Sequence, residues 1–161
     1  DELFESPAVA GVGFLFTGAV LWTTRTTARS AQQWEPSWLA ALLIGCAQAV
    51  AIVPGISRSG TTVAAALALG VAPLAAAEFS FLMSVIAILG AAVRALPELG
   101  SVPSGMVVPL SIAAVSALFF GIAAIWLFVR LLQSRGFHYF AYYTWAAGFT
   151  VLVGLAVAAA R

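Results

Sequence analysis

Gln48-Ala49-Val50-Ala51-Ile52-Val53-Pro54-Gly55-Ile56-Ser57-Arg58-Ser59-Gly60-Thr61-Thr62 joins two apolar runs, 38–54 and 59–72, across a break that is polar, charged and prone to turn. Both runs are short for a bilayer crossing, which takes about 17–25 residues. Irregular backbone is tolerated at membrane depth only where protein or a wet cavity covers it. The two runs are therefore predicted to form a re-entrant pair: one helix enters, the chain turns at Pro54-Gly55, and a second short helix returns.

The composition asks for lipid as solvent. Of 161 residues, 63% are apolar and 8% charged, with a mean hydropathy of +1.06. An average soluble domain is about a quarter charged, so too few polar side chains exist here to cover a water-soluble globule. A formal charge of +1 without basic clusters excludes a nucleic-acid partner. The single cysteine, Cys46, excludes an intrachain disulfide and reads as a small packing residue.

Outward from the break, the runs 8–24, 74–93, 106–129 and 138–160 are long enough to cross. The predicted fold is an all-α, polytopic integral membrane bundle containing one re-entrant helix pair. The stretches 25–37, 95–105 (with Pro97 and Gly100) and 131–137 are predicted connections. Tyr139, Phe140, Tyr142, Tyr143 and Trp145 suit an interfacial aromatic belt. Arg25 with Arg29, and Arg130 with Arg135, fall in the cytoplasm by the positive-inside rule, leaving Arg94, Arg161 and both termini outside. The even number of crossings between the Arg pairs is met by two spans plus a re-entrant pair and equally by four spans. Asp1 in place of Met is read as the start of a piece of a longer protein.

The chemistry concentrates at 55–62. A helix start offers unpaired N–H groups and a partial positive charge. Gly55 and Gly60 permit close backbone approach, Ser57, Ser59, Thr61 and Thr62 add hydroxyls, and Arg58 adds a planar fork of donors suited to phosphate oxygens. An Arg at mid-membrane costs about 2.5–3.5 kcal/mol on insertion scales, which marks a functional position. The plainer reading is a serine N-cap with an arginine reaching for the headgroups; the density of donors favours an anion cradle.

The same stretch resembles the signature of the bacterial undecaprenyl-diphosphatase, or bacitracin-resistance, family, Pro-Gly-x-Ser-Arg-Ser-Gly-x-Thr, at every specified position. Glu78-Phe79-Ser80-Phe81-Leu82-Met83 through Gly90-Ala91 is similar to the family's following helix, with Ile86 where many members have Pro. Tyr143 resembles a family Tyr, whereas Thr144 stands where an Arg is common. The resemblance covers essentially the whole chain and implies the second of two inverted repeats. The first repeat's Glu-x-x-x-Glu and Ser-Ser-x-Gly-His segments do not occur here.

What the resemblance implies is hydrolysis of undecaprenyl diphosphate to undecaprenyl phosphate and phosphate. That reaction recycles the lipid carrier of cell-wall synthesis in the bacterial inner (plasma) membrane and confers bacitracin resistance. Implied catalytic residues are Ser57 and Arg58, with Gly55, Ser57, Arg58, Ser59, Gly60 and Thr62 around the phosphate. Mg2+ or Ca2+ is implied, held mostly by glutamates of the missing half, with no metal ligands among these residues. Water and a Ser remain alternative nucleophiles. The chain alone is then a phosphate cradle without its acid/base partner, and is expected to be inactive by itself. Expected partners are the polyprenyl diphosphate and membrane lipid, with a homodimer as a further option.

Other readings follow from the residues. Broken helices meeting near the midplane also suit half of a transporter or flippase for a polyprenyl phosphate. A different lipid phosphatase superfamily needs Lys and a second His, both absent, and is discarded. Gln48, six residues before Pro54, either reaches the cavity or pairs with a neighbouring helix. Glu78 is either an interfacial helix-start charge or faces the site, and His138 suits headgroup contact.

Overall fold

The computed structural model describes residues 6–99, 103–134 and 136–159. Asp1, Gly100, Arg135 and Arg161, which enter the orientation and boundary arguments above, lie outside the described residues. Within them the chain forms α1 (Pro7–Ser30), α2 (Trp38–Val50), α3 (Arg58–Ala68), α4 (Pro73–Leu99), α5 (Val107–Gln133) and α6 (Phe140–Ala159). Short 3-10 turns at Ser104–Met106 and Phe137–Tyr139 precede α5 and α6. Pro7–Ser30, Pro73–Pro97, Val107–Gln133 and Phe137–Ala159 are long and apolar enough to cross a membrane. At a rise of about 1.5 Å per residue, α2 and α3 are only about 20 and 16 Å long and do not reach across. The protein is an all-α, polytopic membrane bundle.

Several helix ends differ from the sequence reading, each for a local reason. α1 does not stop at 24. Thr23, Thr24, Thr26, Thr27 and Ser30 donate their hydroxyl hydrogens to carbonyls three or four residues back, at 2.7–3.2 Å. The polarity of this stretch is thus absorbed by its own helix, and Arg25 lies 5.4 Å from the centroid of the Trp22 ring. α4 runs past Arg94 and through Pro97 to Leu99, because Ala95 and Leu96 favour helix and a proline this near the end forfeits one backbone bond. α5 continues to Gln133 with Leu132 buried.

The short pair is shorter than 38–54 and 59–72. Ser37 caps α2, accepting from the Ala40 N–H at 3.2 Å, and α2 ends at Val50 because Pro54 disfavours helical geometry just before it. α3 ends at Ala68 because Gly70 takes φ +89°. The Gly70 N–H then donates to Leu67 O at 3.1 Å and the Val71 N–H to Ala66 O at 2.9 Å, closing the helix end. The backbone N–H groups of Gln32 and Gln33 donate to Gly70 O, and the Ala72 N–H donates to Gln33 O at 2.7 Å. The loop leaving α1 is thereby tied to the far end of α3.

α3 carries the core. Its residues from Gly60 to Ala64, with Ala66 and Leu67, are buried, and α1, α2 and α4 pack around it. Small side chains make that approach close. Ile44, Val63, Leu67, Ala76 and Ala77 are at most 1% exposed. α1 and α6 pack along their lengths, held by Trp145 Nε1 donating to Leu15 O at 3.2 Å. Near its C-terminal end α5 joins a chain of ring contacts, Phe81–Phe128–Phe137–Phe140, with centroids 5.0–6.0 Å apart. Elsewhere it exposes Leu118, Phe119, Phe120 and Ile122, a surface for lipid or another apolar face rather than water.

Candidate active site

The turn between α2 and α3 is bolted to α1 by one hydroxyl. Thr17, 1% exposed, donates to Gly55 O at 2.9 Å and accepts from the Ser57 N–H at 3.0 Å. Gly55 at φ +85° lies against the backbone of Ala10. Its positive φ is as the sequence reading expects of a glycine here, and its missing Cβ also serves helix packing. The sequence reading missed Thr17; its one signal was a hydroxyl in the middle of the first apolar run, away from the threonines at its end. Replacing Thr17 by Val leaves a part-buried carbonyl and a part-buried N–H without partners. The expected cost is about 2–4 kcal/mol, read as a lower thermal unfolding midpoint in detergent.

With the turn fixed, α3 starts at a defined place. Ser57, extended at φ −66° and ψ 114°, is its N-cap, and Ser57 Oγ accepts from the Gly60 N–H at 3.1 Å. The Thr61 N–H donates to Ser57 O at 2.9 Å. The N–H groups of Arg58 and Ser59 have no acceptor among the described residues. They are the first-turn amides left for an outside oxygen.

The side chains of this first turn diverge. Arg58, exposed, lines a hollow of about 420 Å³ between α2 and α4 that also holds Gln48. Ser57, Ser59 and Gly60 line a second hollow of about 270 Å³, walled by Phe14, Phe128, Phe137, Phe140, Tyr143 and Thr144. Tyr143 and Thr144, noted in the sequence for their match and mismatch to a family pattern, thus meet the serines; the phenylalanine wall was not anticipated. A third groove, about 430 Å³, runs between α1 and the turn and is lined by Val9, Val12, Phe16, Val53 and Ile56 among others.

Other candidates stand elsewhere. Thr62 is 0% exposed. Its hydroxyl reaches Arg58 O at 2.9 Å and Ser59 O at 3.2 Å and shares a hydrogen bond with Ser80 Oγ on α4. Thr62 is therefore corrected from phosphate donor to a helix-packing group, because a helical threonine bonds back to its own turn and α4 covers it. Glu78 is exposed on α4 and lines neither hollow. His138 sits among Trp22 and Tyr139, with centroids at 5.9 and 4.2 Å. Cys46 is exposed, a correction to its reading as packing. Gln48 Oε1 and Thr61 Oγ1 are enclosed with no hydrogen-bond partner among the described residues, each at a cost of about 1–3 kcal/mol.

Among the described residues no three of His, Cys, Asp and Glu come together. Neither hollow has a carboxylate or imidazole in its lining. Calcium and magnesium are held by carboxylate and carbonyl oxygens, so these residues do not fit the divalent cation the resemblance implies, and no step below passes through one.

Fold and site define a polytopic helical membrane protein whose buried central helix presents a guanidinium, two serine hydroxyls and two unpaired amides from its first turn. The family profile described as Bacitracin resistance protein BacA matches residues 1–150. The chain belongs to that family. It is 40% identical over 160 residues to an undecaprenyl-diphosphatase of Methanothermobacter thermautotrophicus, covering 94% of this chain and 86% of that protein. Similarity to the undecaprenyl-diphosphatase of Desulfatibacillum aliphaticivorans is 40% over 95% of this chain and 56% of the relative. For that of Carboxydothermus hydrogenoformans it is 35% over 95% and 60%. The chain thus spans little more than half the length of the latter two relatives.

Proposed function

We propose that this protein serves the hydrolysis of undecaprenyl diphosphate to undecaprenyl phosphate and inorganic phosphate, recycling a lipid carrier in the bacterial plasma membrane. The observation that supports it most is the start of α3, where Arg58 lines a hollow and the N–H groups of Arg58 and Ser59 have no acceptor among the described residues. Water's oxygen bonds to the terminal phosphorus, the phosphoanhydride bond breaks, and the electron pair leaves with the lipid monophosphate. Charge on the transferred phosphoryl oxygens is what the site must neutralise. Arg58 supplies the charge. The helix-start amides supply fixed dipoles that need no reorganisation, while the Ser57 hydroxyl, which lines the neighbouring hollow and already accepts from Gly60, keeps its hydrogen for a group held there. The apolar hollow and groove flanking the turn suit a polyprenyl tail. The general base is assigned to glutamates of a first repeat, as the family resemblance implies.

Membranes from cells expressing the protein together with a first repeat that supplies those glutamates are expected to release inorganic phosphate from added undecaprenyl diphosphate above the level of membranes lacking it. Movement of the lipid between leaflets with no phosphate released overturns this reading in favour of a transporter.

A further inference from the structure

Gln48 is the sole amide or charged side chain in α2, a helix otherwise built of apolar and small residues. Such a side chain is kept in an apolar helix only if something meets its hydrogen-bonding groups. No described residue does: its Oε1 is enclosed without a donor, and the amide nitrogen makes no hydrogen bond within the described residues. With the oxygen turned inward, the NH2 is the end left for the hollow of about 420 Å³ that Gln48 shares with Arg58. The remaining lining is Gly45, Ala49, Ile52 and three apolar residues of α4. The polar groups offered there are guanidinium and amide N–H, with no acceptor among them. An apolar hollow lined by two donor groups suits a ligand made of acceptors, an oxyanion.

We propose that Gln48 is a substrate-contacting residue whose Nε2 donates to an oxygen of the same diphosphate that Arg58 grips, in the hollow between α2 and α4. This rests on the reading of Arg58 given above. The division of labour is chemical: the guanidinium neutralises charge, while the neutral amide adds direction without adding charge and so fixes how the diphosphate lies against α3.

The test is calorimetric binding of inorganic pyrophosphate to the detergent-solubilised chain and to the variants Gln48→Leu, Gln48→Met, Gln48→Glu and Arg58→Ala. Losing one hydrogen bond to a charged group is expected to weaken binding roughly 10- to 100-fold in Gln48→Leu and Gln48→Met. Gln48→Glu, which sets a carboxylate against the incoming anion, weakens it further. Leu and Met remove an orphaned amide from an apolar helix, so their unfolding midpoints stay level or rise. Parent-like affinity in both, with binding lost in Arg58→Ala, overturns the role of Gln48 and leaves that of Arg58 standing. Parent-like affinity in Gln48→Leu, Gln48→Met and Arg58→Ala alike, or no binding by the parent, removes both. A fallen midpoint in both apolar variants, with unchanged affinity per folded molecule, makes Gln48 a structural residue and also overturns the proposal.

Discussion

Arg58→Ala is expected to lower phosphate release from undecaprenyl diphosphate by about a thousandfold in the assay proposed above, the lower end of what a transition-state arginine contributes to phosphoryl transfer. The guanidinium is exposed at the start of α3 and lines a hollow in which no other described residue brings a charged side chain. Arg58→Lys recovers only part of the loss, because an ammonium is a point charge and cannot engage two oxygens in one plane. The unfolding midpoint stays near that of the parent in both variants. Arg58 makes no hydrogen bond through its side chain to a described residue, and the turn that carries it is held by Thr17 instead. Steady-state assays in expressing membranes, with unfolding followed on the purified variants, separate the two effects. Activity within threefold of the parent in Arg58→Ala would sink the assignment.

Gly55→Val is expected to cost about 4 kcal/mol or more, the range reached only by a few named mechanisms. Two of them act together. At φ +85° a β-branched residue is strained, and any Cβ at this position runs into the carbonyl of Ala10 on α1. Relief would require α1 and the turn to separate, which breaks both hydrogen bonds of Thr17. Gly70→Ala is the control. Gly70 has a similar φ of +89°, but its added Cβ meets only the end of the Gln33 side chain at 3.7–3.8 Å. Its cost is the torsional one alone, about 1–2 kcal/mol. Thermal unfolding in detergent, with the yield of folded protein as a second reading, should rank the two variants clearly apart; equal losses would mean that α1 does not press on the turn.

Much of this architecture is legible without coordinates because hydropathy is a local quantity. The four apolar stretches that can cross, and the break at Pro54-Gly55 between two short ones, follow from runs of side chains and from what Pro and Gly do to backbone. Helix ends are less legible. The polar stretch after 24 reads as a connection, yet Thr23 to Ser30 stay helical because each hydroxyl finds a carbonyl one turn back. Composition cannot distinguish a hydroxyl that bonds to its own helix from one that faces water.

The candidate site divides along the same line. That a guanidinium, serines and a helix start fall within a few residues is a property of adjacency, and adjacency is written in the chain. Which way each side chain turns depends on residues far along it. Thr17 reaches Gly55 and Ser57 across 38 and 40 positions, and Thr62 is taken out of the cradle by Ser80, 18 positions on. The parting of Ser57 and Ser59 from Arg58 into different hollows depends on where α4 and the phenylalanines of α5 and α6 come to rest. The amino-acid order by itself determined the solvent, the helical class and the clustering of the candidate anion-binding groups. Only tertiary packing decided which of those groups remain open to a ligand, because burial is set by neighbours that a local pattern does not contain.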